Sequence, residues 1–398
     1  MLLPDSIKPI LMITALLLAL IIGGLAVLFI LRAKSRSSEH HTAYYLHKHK
    51  DYFLYLSIHI DNPEPLLPPP GLIKTRELVA IQQKLLEWIE MFEGSHRDKL
   101  SQLCYDMGLV ERERQRLHSL RHWERIDAAY HLGVMRAKDC FGELLRLLEH
   151  ETDDSTAFVI GRAAAKCTQQ PGELRKLVLR LAKHHPQSHH LILDIVGSSS
   201  LNPLPLYLDL LQVEDVDLIT LALIGLSGYN EHDAIPFLDL LVQSEHKEVR
   251  IKAAKLLLEY THLLQTEPLM VFMSHSDWEI RAAAMKVAGE QPSGDFIPIL
   301  KDALTDPDWW VRHNSAQSLG KLGLPGFQAL CVAHMAAPNT LDLNIASEAV
   351  HEQLEIASEL ASQDITQRIY FNELSHMYEK ICNVSYVNQP HQLLRIRS

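Results

Sequence analysis

Three segments of this chain align without a gap, and their spacing constrains the fold more than any other feature of the sequence. They read HKEVRIKAAKLLLE (246–259), DWEIRAAAMKVAGE (277–290) and DWWVRHNSAQSLGK (308–321). Arg250, Arg281 and Arg312 stand 31 residues apart. The same interval separates the branched residues before them (Val249, Ile280, Val311) and the small residues three positions on (Ala253, Ala284, Ser315). It holds again for Leu257, Ala288 and Leu319, seven positions on. A fixed period of this size marks a stack of supersecondary units, each burying its apolar face on the next. One period before Arg250, Ile219 sits among Asp215, Leu218, Ala222 and Leu226. Further back the register reads as slipping by one residue and recovering at Thr156, with Val159 and Ala163. Arg125 carries the pattern with Ala128, Leu132 and Gly133. A faint last copy contains Leu343, Ala346 and Val350, for about eight units over 121–360.

A second helix fits every interval. Pro236 and Pro298 stand two periods apart, Pro205 one period before Pro236, and Pro268 one residue out of register. Proline is tolerated in a first helical turn, where the amides have no partner. Each unit therefore reads as two antiparallel helices of about 11–13 residues joined by tight turns. Asp277 and Asp308 precede their helices, where a carboxylate caps exposed amides. They also stand where they can meet Arg281 and Arg312, on the same or the next repeat. Asp277, Arg281, Asp308, Arg312 and Arg250 are expected to form a structural ladder without a catalytic role.

The pattern IPxLxxLLxxxDxxVRxxAxxxLG resembles the HEAT repeat in its short bacterial form, also found in phycobilin lyases. The resemblance covers 121–360 and implies an all-α solenoid of about eight helical hairpins, most often a protein-binding scaffold. Residues 109–133, LVERERQRLHSLRHWERIDAAYHLG, also resemble membrane-anchored bacterial HEAT proteins associated with glycosyltransferase or exopolysaccharide systems.

From Pro9 to Leu31 the chain is uncharged, with Thr14 its only polar side chain. As a helix this run would extend roughly 34 Å, against a hydrocarbon core of about 30 Å. It outlasts the apolar region of a cleaved signal and stops at Arg32, Lys34 and Arg36. The expectation is one N-terminal transmembrane helix at 9–31. Basic flanks stay inside, which puts residues 1–8 outside and the repeats in the cytoplasm, at the inner membrane if the source is bacterial. Residues 1–60 carry +3 and the rest −14 of the total −11. So acidic a body is a poor match for nucleic acid, and none is expected as a partner. Five cysteines without CxxC spacing agree with a reducing compartment.

Between anchor and repeats, residues 32–71 read as a basic linker, an aromatic segment and a Pro-rich spacer, DNPEPLLPPPG at 61–71. The stretch YFLYLSIHI (52–60) is ambiguous between helix and strand. Residues 72–120 read as a helical N-terminal cap, and 361–398 as a capping helix with a tail.

Chemistry finds little support. The HEAT family with a reaction, deoxyhypusine hydroxylase, holds two irons with repeated His-Glu pairs. Here only His150-Glu151 and His351-Glu352 occur, too far apart in the stack to converge. The histidines near 40–49 and 184–190 lack zinc-site spacing. No catalytic, cofactor-binding or metal residue is expected. The binding candidates are tryptophans: Trp278 and Trp309 share one repeat position, Trp310 and Trp123 the next. The reading is a membrane-anchored, non-enzymatic scaffold for protein partners, with a glycosyltransferase complex as the leading client. The alternative is an enzyme or enzyme accessory related to HEAT-type lyases or deoxyhypusine hydroxylase.

Overall fold

A computed structural model describes residues 8–229, 231–260, 266–291, 293–336, 344–362 and 364–383. Among the described residues there are helices and no strand. The chain divides into two compact units, the first reaching His184 and including Asp194–Asn202, the second comprising His185–Leu193 and the chain from Pro203.

The first unit opens with α1 (Lys8–Lys48) and α2 (Lys50–His59). No proline interrupts residues 10–62, so α1 runs through Arg32 without a break, and YFLYLSIHI is helical. Tyr52 is buried and donates from its hydroxyl to the carbonyl of Leu67, while Phe53 sets its ring edge-on to Trp88. The Pro-rich spacer is non-helical. Then follow α3 (Thr75–Met91), α4 (Gly94–Asp106), α5 (Leu109–Arg116), α6 (His122–Val134), α7 (Phe141–Glu149), α8 (Asp154–Lys166) and α9 (Pro171–His184). The division falls inside α10 (His189–Gly197).

The single-pass topology is not supported. Among the described residues no helix is long and apolar enough to cross a membrane. The membrane localisation and the orientation built on the flanking charges fall with that topology. Residues 1–7 and the tail after Asn383 lie outside the described residues, as does Leu343.

The second unit contains α11 (Leu204–Leu210), α12 (Val216–Leu226), α13 (Ile235–Leu241), α14 (Lys247–Glu259), α15 (Thr266–Met273), α16 (Trp278–Ala288), α17 (Ile297–Asp302) and α18 (Trp309–Lys321). It closes with α19 (Gly323–Ala336), α20 (Asn344–Ala361) and α21 (Ile365–Cys382). The residues that repeat at 31 positions are its core: Val249, Ile280, Val311, Ala253, Ala284, Ser315, Leu257, Ala288 and Leu319 are all buried. Pro205, Pro236 and Pro298 stand in the first turn of α11, α13 and α17. Those helices have 7, 7 and 6 residues, shorter than the 11–13 expected. Before α13 and α17 the chain spends a turn as 3₁₀ helix, at His232–Ala234 and Gly294–Phe296.

Burial also moves the register slip. Thr156, Ile160 and Ala164 are buried and Val159 is 40% exposed. Ala157, three full periods before Arg250, therefore takes the arginine position, and the extra residue falls between Arg125 and Ala157. Eight positions after Arg125 and Arg281 stand Gly133 and Gly289. A Cβ on Gly133 would lie 2.6 Å from the Ala163 Cα, and one on Gly289 would lie 2.6 Å from the Ser318 Cα. Each unit thus uses glycine at the same repeat position to let the next repeat's helix approach.

Candidate functional site

The repeat arginines do two jobs, and the first is local. Arg125, Arg250, Arg281 and Arg312 each donate from Nη1 to the carbonyls six and five residues earlier. The nearer contacts are Ser119 at 3.1 Å, Ser244 at 2.6 Å, His275 at 2.8 Å and Asp306 at 2.8 Å. Each arginine thereby ties down the turn that enters its own helix, satisfying carbonyls that no helix ladder reaches.

The second job links repeats, with partners other than those expected. Arg250 Nε donates to Asp277 Oδ2 at 2.7 Å, and Arg281 donates to both carboxylate oxygens of Asp306, at 2.8 and 2.9 Å. Asp277 therefore meets the preceding repeat's arginine and makes no side-chain cap to α16. Asp308 does cap, accepting from the Trp310 amide at 2.9 Å, as Asp215 and Asp153 do for α12 and α8. Arg250 holds the Asp277 carboxyl below the usual carboxylate range. Burial pushes the Asp306 carboxyl up, but Arg281 and the Asp308 amide outweigh it and the net shift is downward.

The tryptophans are distributed between the units. Trp309 and Trp310 open α18 and are 46% and 53% exposed. Trp309 stacks on His313, with centroids 4.8 Å apart and planes 11° from parallel, and meets Trp310 edge-on at 4.8 Å. Trp278, one repeat earlier, is half-buried. Trp123 stands in the first unit, 76% exposed, beside His122.

Sequence reasoning missed a cavity in the first unit. About 570 Å³ in volume, it is lined by residues of α3, α5 and α6. On its floor Glu113 is fully buried. Its carboxylate accepts from Gln82 Nε2 at 2.9 Å and from Arg116 Nη1 at 2.6 Å, and lies 3.2 Å from His131 Nδ1. Arg116 also donates to Asp127 at 2.7 Å, and Arg112 donates to the Gln82 carbonyl oxygen at 3.2 Å. Burial opposes the charge on Glu113, but His131, Gln82 and Arg116 overcome it and hold its pKa below the ordinary value. Toward the open side stand Glu87, Glu90 and Tyr130, whose hydroxyl donates to Glu90 at 3.2 Å. The available signal was Gln82, a polar residue on the apolar stripe of α3 between Ile81 and Leu85.

Among the described residues, no group of three or more His, Cys, Asp or Glu is arranged to hold a metal ion. The five cysteines are free and buried. Burial pushes the Cys104 and Cys331 thiols up to about 12, where they behave as small apolar core residues.

These features define a helical-repeat protein. The family model described as HEAT repeats matches residues 266–347, which supports a HEAT-repeat protein. No curated protein matches the chain. Among solved structures, the X-ray structure of YibA from E. coli is 16% identical, covering 64% of this chain and 99% of its own, with a TM-score of 0.32. An engineered protein is 17% identical, covering 68% of this chain and 96% of its own, with a TM-score of 0.16. At such scores neither likeness bears on fold or function.

Proposed function

We propose that this chain is a non-enzymatic repeat scaffold that holds a protein partner through the aromatic cluster of Trp309, Trp310 and His313, with Trp278 one repeat before it. HEAT repeats suggest a helical scaffold for protein interaction. The observation that carries the reading is the adjacent pair of exposed tryptophans at the start of a repeat helix. Tryptophan is enriched among residues that dominate binding energy, because it buries a large rigid surface. Its exposure here costs the isolated chain and would be recovered under a partner. The resemblance of residues 109–133 makes a polysaccharide-synthesising glycosyltransferase the first client to test.

Cross-linking in cells followed by mass spectrometry, with the wild type and Trp309→Ala/Trp310→Ala in parallel, tests the proposal. The double variant should lose a defined set of cross-linked proteins while keeping its melting temperature. An unchanged set at an unchanged melting temperature would overturn it.

A further inference from the structure

The cavity of the first unit contains a group that stacking alone does not call for. Burying a carboxylate is costly even when it is paired, and nearby on the same helix Leu109, and Leu117 just after it, seal their contacts with aliphatic side chains. Glu113 instead organises the floor. It engages Gln82, Arg116 and His131, Gln82 in turn engages Arg112, and Asp127 shares Arg116. Both guanidinium groups of the lining are thus engaged from within.

The open side has a different chemistry. Glu87 and Glu90 stand three residues apart on α3, hence on neighbouring positions of one helix face. Beside them the Tyr130 ring is 43% exposed. Their cationic neighbours are Lys84 at 2.5 Å from Glu87 and Lys166 at 3.4 Å from Glu90. Exposed pairs of this kind are weak and are readily exchanged for another cation. The lining carries four carboxylates (Glu87, Glu90, Glu113, Asp127) against two guanidinium groups (Arg112, Arg116). With Lys84 and Lys166 beside it the charges balance, so a cationic ligand would enter by displacing these weakly held lysines from Glu87 and Glu90. An aromatic face next to carboxylates suits a guanidinium or ammonium group, which stacks on the ring and donates to the oxygens.

We propose that this cavity receives an arginine or lysine side chain presented by a protein partner. Glu87 and Glu90 supply the counter-charge, Tyr130 the stacking surface, and the Glu113 network the rigid floor. The site is separate from the tryptophan cluster. It rests on the scaffold reading only in drawing the cation from a protein.

Calorimetric titration of the full chain with a blocked Gly/Ser octapeptide carrying one arginine tests the proposal, beside the same peptide with neutral citrulline at that position. The arginine peptide should bind about ten-fold or more tightly than the citrulline peptide. Glu87→Gln/Glu90→Gln should lose that preference without a change in melting temperature, and Tyr130→Leu should weaken binding several-fold. Trp309→Ala/Trp310→Ala should bind the peptide as the wild type does, so failure of the aromatic reading and failure of this one are told apart. Equal binding of the two peptides, no binding at millimolar concentration, or preference for a glutamate peptide would overturn the proposal. Displacement of the arginine peptide by an equal concentration of free spermidine would overturn the protein source of the cation.

Discussion

The helices α14, α16 and α18 of the second unit and the helices α3, α5 and α6 of the first solve the same packing problem in opposite ways. In the second unit the positions before and three after each repeat arginine carry the same kind of residue, branched and small respectively, and the helices close on one another. In the first, Gln82 and Glu113 stand where apolar residues would seal the contact, and a cavity of about 570 Å³ opens beside them. Regularity seals a helical stack. A departure from it, once satisfied by hydrogen bonds, leaves room for a ligand. The repeat accordingly accounts for the packing, and a departure from it opens the cavity proposed to bind a cation.

The strongest way to break this contrast is to remove the polar floor. Glu113→Ala leaves Arg116, His131 and Gln82 without their shared acceptor, and should cost about 3 kcal/mol in urea unfolding, in line with the loss of one member of a buried charged pair. A cost below about 0.5 kcal/mol would mean that the network is ornamental. The same group sets an acid dependence. Its folded pKa is depressed, so it contributes stability above the ordinary carboxylate pKa, and that stability is lost as pH falls through the depressed value. Between about pH 6 and pH 3 the wild-type urea midpoint should fall further than that of Glu113→Gln.

Next in size is the ladder of the second unit. Arg281→Ala removes a bidentate contact to Asp306 and two turn carbonyl contacts. The pair is partly exposed, so solvent screening limits the expected loss to about 1 kcal/mol. The smallest effect on stability belongs to Trp309→Ala/Trp310→Ala, within about 0.5 kcal/mol because both side chains face solvent. A larger loss would reassign the pair from binding to packing.

Much of the second unit was legible in the sequence, because a 31-residue interval forces equivalent residues into equivalent burial. Val249, Ile280 and Val311 need no structure to be recognised as core. The partner of Arg281 was not legible. Asp306 and Asp308 flank Pro307 in one short turn, and only the path of that turn decides which carboxylate turns back to the preceding repeat and which caps α18. The floor of the cavity was hidden for a different reason. Glu113 lies in the run ERERQR, which reads as a solvated face, and its burial depends on how α3 and α6 pack against α5, which the local sequence does not show. Counting apolar residues from Pro9 to Leu31 led to a membrane span that no helix among the described residues provides.

The shared element of the two units is the close approach at the glycine position, and a double-mutant cycle in urea unfolding tests it most directly. Gly133→Ala and Gly289→Ala should each cost about 2 kcal/mol by overpacking against Ala163 and Ser318. Ala163→Gly combined with the first, and Ser318→Gly with the second, should each recover a coupling of about 1 kcal/mol. Strict additivity in either cycle would contradict the close approach of the Ala163 or Ser318 side chain assigned to the glycine position of that unit.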